Sequence, residues 1–218
     1  MKYKYLLFDL DGTLIDTTEG VYKSAQYALT HFGINVGFDE LKPIFGPPLK
    51  QSFMNLFNLN DTEATDAVKF YLERYQQFGI NESKVFPEIP SLLNDLKKHG
   101  YSLGVATSKY EGHAISALEH YNIAHYFDYI TGANIDETIS KKHEVIIESL
   151  KRFDATDKKP EVLMIGDMKY DIIGAKTAGI DSLGIYTGTA AELEHENAGA
   201  TYIAHSFEEV RFMLLKQF

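Results

Sequence analysis

The sequence predicts an α/β fold: a parallel sheet with helices on both faces, interrupted after its first strand by an inserted helical cap. Three observations predict it. Short apolar runs recur at Tyr5–Phe8 and at residues 103–106, 129–130, 162–165, 183–185 and 202–203, and each ends at a polar or glycine-bearing loop. Between several of these runs, apolar residues repeat at helical spacing. Residues 17–84 break the rhythm, with helix-like stretches and no convincing buried strand.

Each element has its own signal. Ile89, Leu92, Leu93 and Leu96 form one helical stripe, closed by Gly100 at the C-terminal cap position. Val145, Ile146, Ile147 and Leu150 form another, and Ile172, Ile173 and Ala175 begin a third. Strands that alternate with helices imply βαβ units and a parallel sheet. The continuous apolar character of the strand runs fits burial on both sides. In the insertion, residues 21–32, 49–57 and 64–78 read as helices, with Pro47-Pro48 suited to the first turn of the second and Asp61 suited to cap the third. The chain returns to the α/β pattern at Val85-Phe86-Pro87. The expected organisation is a Rossmann-like core of residues 1–16 and 85–218 with a helical cap of residues 17–84, placed to act as a lid.

Composition narrows the function. The chain has 218 residues, of which 44% are hydrophobic and 24% charged, an ordinary globular balance. Its 31 acids against 21 bases give a net charge of -10, which disfavours binding a nucleic-acid polymer or an anionic membrane through a broad basic face. With no cysteine, disulfides, thiolate nucleophiles and Cys-ligated metals are excluded. Asp9 and Asp11 cut the first apolar run too short for a signal peptide, and no stretch approaches the roughly 20 apolar residues of a membrane span. A cytoplasmic location is expected.

Four clusters carry chemistry. Asp9-Leu10-Asp11-Gly12-Thr13 follows the first strand. Alternation in an extended segment puts both carboxylates on one side, and Gly12 lets the backbone turn away. Ligands of parallel α/β sheets collect at the carboxyl ends of strands, where this pair lies. Ala106-Thr107-Ser108-Lys109 also ends a strand, before a helical segment. Hydroxyls there, beside helix N–H groups, suit phosphate oxygens. Ser140-Lys141-Lys142-His143 opens the next helix and offers a lysine to balance charge on a transferring phosphoryl group. Ile165-Gly166-Asp167-Met168-Lys169-Tyr170-Asp171 follows a fourth strand run, with its two acids one helical turn apart. Hard oxygens spread over two strand ends suit Mg²⁺. Singly, each has a bland reading as a turn, a cap or a solvated lysine. Together they meet the needs of phosphoryl transfer, where positioning and charge neutralisation dominate and a carboxylate can be the nucleophile.

With these motifs in order, the chain resembles the haloacid dehalogenase superfamily, in its phosphatase branch with a helical cap after the first motif. The resemblance spans essentially the whole chain. It implies that Asp9 is nucleophile and metal ligand, and that Asp11 is the acid/base whose backbone carbonyl also touches the metal. It further implies phosphate contacts from Thr107, Ser108 and Lys142, and Mg²⁺ ligation by Asp167, with Asp171 a ligand or a support. A second aspartate at position 11 separates the chain from the dehalogenases themselves. Gly46-Pro47-Pro48-Leu49 and Ala106-Thr107-Ser108-Lys109 look like the phosphoglycolate phosphatase or 5′-nucleotidase group. The relatives often carry Lys-Pro at the third motif, whereas His143 follows Lys142 here, leaving Lys141 as an alternative. Glu88 stands where many relatives have glycine.

The expected activity is hydrolysis of a small phosphomonoester (a phosphoglycolate, nucleotide or sugar phosphate type) by a monomer or homodimer, with Lys50 of the cap a candidate substrate contact. A sugar-phosphate mutase and a non-catalytic phosphate-binding module are the alternatives; a receiver domain would be much shorter and lack the cap. The eight histidines show no metal-ligand spacing, and the tyrosines and phenylalanines, 14 of each, read as packing.

Overall fold

The computed structural model describes residues 2–134, 138–187 and 190–218. In chain order they form β1 (Tyr5–Phe8), β2 (Ile15–Asp16), α1 (Thr18–Thr30), α2 (Phe38–Leu41), α3 (Leu49–Phe57), α4 (Asp61–Arg74), β3 (Lys84–Val85), α5 (Ile89–Lys98), β4 (Ser102–Tyr110) and α6 (Glu111–His120). There follow β5 (Tyr129–Ala133), α7 (Lys142–Arg152), β6 (Val162–Gly166), α8 (Lys169–Ala178), β7 (Asp181–Ile185), α9 (Glu194–Ala198), β8 (Tyr202–Ala204) and α10 (Phe207–Phe212). The chain separates into two compact units, one of Met1–Ile15 with Val85–Phe218, the other of Asp16–Lys84.

The first unit is built on a parallel sheet in the order β5-β4-β1-β6-β7-β8. Side-chain alternation explains its two covered faces. Leu6 and Phe8 of β1, Leu103 and Val105 of β4, and Leu163 and Ile165 of β6 pack with the α5 stripe and with Ala114, Ala117 and Leu118 of α6. Tyr5 and Leu7 of β1, Ala106 of β4, and Val162 and Met164 of β6 pack on the opposite side with Val145, Ile146 and Leu150 of α7 and Ala175 and Ala178 of α8. Every β1 residue is buried, as expected for the centre of such a sheet. β1 therefore carries Asp9 just past its carboxyl end, at the edge of the buried sheet.

The second unit is helical. Its apolar residues include Tyr22 of α1, Phe53 of α3 and Tyr71 of α4, all buried, with Tyr71 stacked on Tyr75 at 5.6 Å. Arg74 closes its end with a bidentate pair to Glu82 at 2.8 and 2.9 Å.

Three sequence expectations are corrected. Asn60, not Asp61, caps α4: its side chain accepts from the N–H groups of Thr62 and Glu63, while Glu63 accepts from the N–H of Asn60. Both residue types suit the position, and the reciprocal bond to Glu63 decides it. Pro48 precedes α3 as its cap residue and does not lie in its first turn. β4 runs on through Tyr110, which pairs with Ala133 beyond a register irregularity, so Thr107 and Ser108 lie on the strand and α6 begins only at Glu111.

Within the helical unit, a Cβ built on Gly20 would lie 2.3 Å from the Gly79 carbonyl oxygen. In open space Gly20→Ala would stabilise α1 by roughly 0.5–1 kcal/mol. Against backbone, overpacking reverses the sign, and we expect a loss of about 1–3 kcal/mol in denaturant unfolding. A stabilised variant would show that this contact is not tight.

Candidate active site

The site forms where β1 and β6 end side by side and β4 runs on past them. The N–H of Asp9 donates to the Ile165 carbonyl at 2.9 Å, so Asp9 continues the ladder one residue past β1 and its carboxylate is carried to the sheet edge. Asp167 follows β6 directly, and Asp171 sits in the first turn of α8. All three acids are buried, and one carboxylate oxygen from each lies within 4.8 Å of the others.

Lys142 enters this acidic cluster from the start of α7. Its Nζ lies 2.7 Å from Asp9 Oδ1 and 2.8 Å from Asp171 Oδ1, and it donates to the Ala106 carbonyl at 3.1 Å. The two carboxylates are at ion-pair distance, and the bond to the Ala106 carbonyl is the one with hydrogen-bond geometry. Lys141 is exposed, so the structure brings Lys142, and not its neighbour, to the cluster. The α7 start is held by Glu144, whose carboxylate accepts from the N–H groups of Ser140 and Lys141 at 3.0 Å each.

The charges are strongly coupled. Burial pushes the Asp9 carboxyl up to about 6, against the opposing pull of Lys142. Burial alone would lower Lys142, but the carboxylates of Asp171 and Asp9 hold it above the usual lysine range. Two acids near a third, with one shared cation, leave net negative charge in a shielded place. A hard divalent cation fits that donor set of carboxylate oxygens, and Asp9, Asp167 and Asp171 are the residues that could hold it.

Asp11 is placed differently. Gly12 takes φ +84° and turns the chain, so the Asp11 carboxylate joins Lys109, not the three buried acids, with Nζ 2.7 and 2.8 Å from its two oxygens. A Cβ on Gly12 would lie 2.1 Å from Asp167 Oδ2, so glycine is required both by the turn and by the neighbouring acid. Thr107 is buried on β4, and its Oγ1 accepts from the Lys109 N–H at 3.2 Å; Ser108 beside it is half-buried. Lys50 lies in the helical unit and is paired with Asp61 at 2.8 Å.

Three supporting residues escaped the sequence reading. Thr13 donates from Oγ1 to Asp167 Oδ1 at 2.7 Å. Thr187 donates from Oγ1 to the Gly12 carbonyl at 2.7 Å and so ties the turn to the end of β7. Lys109 holds Asp11. Thr13 and Lys109 stood within motifs already marked, and Thr187 follows a strand whose carboxyl end was itself a signal.

Comparison with known proteins agrees with this geometry. A family model described as haloacid dehalogenase-like hydrolase matches residues 6–185. The crystal structure of a predicted phosphatase from Clostridium acetobutylicum is 40% identical, with a TM-score of 0.94 over 99% of this chain and 100% of that one. A 5′-nucleotidase of Pseudomonas aeruginosa is 38% identical over 196 residues, 89% of this chain and 87% of its own. The tyrosine-protein kinase PtkA of Mycobacterium tuberculosis is 32% identical over 202 residues, 92% of this chain and 68% of its own. The chain belongs to the haloacid dehalogenase-like hydrolase family, as a phosphatase with an inserted helical cap.

Proposed function

We propose that the protein hydrolyses small phosphomonoesters through a phospho-Asp9 intermediate, with Mg²⁺ held by Asp9, Asp167 and Asp171. The observation that carries this reading is the buried acidic triad bracketing Lys142, with a second carboxylate, Asp11, two residues past the nucleophile. When bound, Mg²⁺ would supply the positive charge that lets a carboxylate approach an anionic ester. Asp9 attacks phosphorus and the ester oxygen departs with its electron pair. Asp11 gives that oxygen a proton. Water then attacks phospho-Asp9, the bond to Asp9 breaks, and Asp11 takes up the water's proton. Thr107, Ser108 and Lys142 bind the phosphoryl oxygens in this reading, and Lys142 must exchange one of its present acceptors to do so. The backbone carbonyl of Asp11 adds a metal contact.

Substrates of the phosphoglycolate, nucleotide or sugar phosphate type fit this chemistry, and the 38% identical 5′-nucleotidase supports the nucleotide class. The cap would supply the specificity; a contact from Lys50 would have to replace its pair with Asp61. We place the protein in the cytoplasm as a monomer or homodimer, acting on small molecules and not on nucleic-acid polymers or membranes. The likeness to PtkA admits a second acceptor, a tyrosine hydroxyl in place of water. Accumulation of phosphotyrosine instead of inorganic phosphate would favour it.

Chelation should abolish turnover and added Mg²⁺ restore it. Independently of activity, Mg²⁺ should raise the melting temperature of the wild type, because a ligand that binds only the folded state stabilises it. The rise should shrink strongly in Asp167→Asn. Equal shifts in both proteins would remove Asp167 from the metal site.

Asp11→Asn keeps the nucleophile but removes the proton donor. General acid catalysis is typically worth about 10²–10⁴-fold and matters most for poor leaving groups. In single-turnover measurements, alkyl and sugar phosphates should lose far more phosphorylation rate than p-nitrophenyl phosphate. Equal losses for both classes would show the acid assignment to be wrong.

A further inference from the structure

Lys109, paired with Asp11, is the part of the site that the mechanism above does not use. The two residues are 98 positions apart, and the ammonium sits on both carboxylate oxygens at 2.7 and 2.8 Å. Their side chains are only 11% and 24% exposed, so this is not a solvated pair that water would compete away. The fold explains why Lys109 is there. β4 continues to Tyr110 through a register irregularity after Ala106, and this extension carries Lys109 to the first motif. The N–H of Lys109 bonds the Thr107 hydroxyl at 3.2 Å, which fixes the strand between them.

We propose that Lys109 is a positioning residue for the hydrolytic half of the reaction: it holds the Asp11 carboxylate in the orientation that accepts a proton from the water attacking phospho-Asp9. This rests on the covalent reading given above. An ammonium only donates, so the carboxylate it holds is an acceptor at both oxygens, with lone pairs left over for water. In the step concerned, the water oxygen bonds to phosphorus and one water proton passes to an Asp11 oxygen. The phosphorus–oxygen bond to Asp9 breaks, and its electron pair returns to the Asp9 carboxylate. Protonation of the leaving group needs the opposite property, a donor, and the paired orientation does not serve it. Lys109 therefore acts on one half-reaction more than on the other.

Rapid-quench kinetics with p-nitrophenyl phosphate in magnesium buffer separate the two. Nitrophenolate release reads phosphorylation, which for this leaving group needs no acid. Hydroxylamine-sensitive protein-bound phosphate reads the intermediate and its decay. Lys109→Met should lower the ratio of dephosphorylation to phosphorylation rate by about tenfold or more, a part of what acid–base catalysis supplies, so that phosphoenzyme accumulates. Lys109→Arg, which can again donate to both oxygens, should restore the ratio. Burst amplitude counts correctly folded sites. If the methionine variant shows none, Lys109→Gln carries the same comparison. A purely structural role would reduce the amplitude or slow both steps together, and an unchanged ratio would overturn the inference while leaving phospho-Asp9 in place. Absence of protein-bound phosphate in every form, wild type included, would overturn the covalent reading and this inference with it.

Discussion

The site depends on one constraint: Lys142 must be buried between two carboxylates. Its ammonium touches Asp9, Asp171 and the Ala106 carbonyl, so it links the end of β1 and the middle of β4 to the first turn of α8. Taking such charges out of water is costly, and a pair of this kind persists only where geometry and hydrogen bonds recover the loss. Here three acids meet one lysine, and the recovery is incomplete. Burial keeps Asp9 well above the ordinary carboxylate range even with Lys142 beside it.

The surrounding elements follow from that constraint. The apolar strands β1 and β6 carry Asp9 and Asp167 to one edge, and parallel pairing keeps the two ends level. Gly12 turns the chain tightly against Asp167, Thr13 bonds that acid, and Thr187 anchors the turn from β7. The same turn sends Asp11 to a separate cation, Lys109. The two carboxylates of the first motif thus have different partners: Asp9 shares Lys142 with Asp171, while Asp11 has an ammonium across both its oxygens. Different surroundings for neighbouring carboxylates are what allow one to be a nucleophile and the other a proton carrier.

Much of this was legible because it is local. Apolar runs marked the strands, and acids directly after them marked the site, since a residue that follows a buried parallel strand has few other places to be. The Lys-x-Glu-Val-Ile pattern favours Lys142 over Lys141, but which of the two turns inward depends on the phase of α7 against the sheet, a tertiary property. The partner of Asp11 was hidden for a similar reason. The sequence sets Lys109 beside a helix start, and only the extension of β4 to pair with Ala133 aims it at the first motif. Thr187 had only its place after β7 as a signal, because its role is a single bond to a backbone carbonyl. The choice of Asn60 over Asp61 as the α4 cap turned on Glu63, whose return bond the sequence does permit one to anticipate.

If the acidic cluster is held at a cost that a cation relieves, the metal-free protein should be more stable when Asp9 is neutral. The group's folded value of about 6 lies above the 3.8 of a free carboxyl, so its favourable contribution is full below about pH 4 and is lost as pH rises through 6. Melting temperatures in chelator, from pH 4 to 8, test this with the wild type and Asp9→Asn, whose amide oxygen can still accept from Lys142. The two curves should nearly coincide at pH 4 and separate above pH 6, with Asp9→Asn the more stable by roughly 1–3 kcal/mol, or about 2–4 °C for each kcal/mol in a chain of this length. An Asp9→Asn protein less stable than the wild type throughout that range would contradict it.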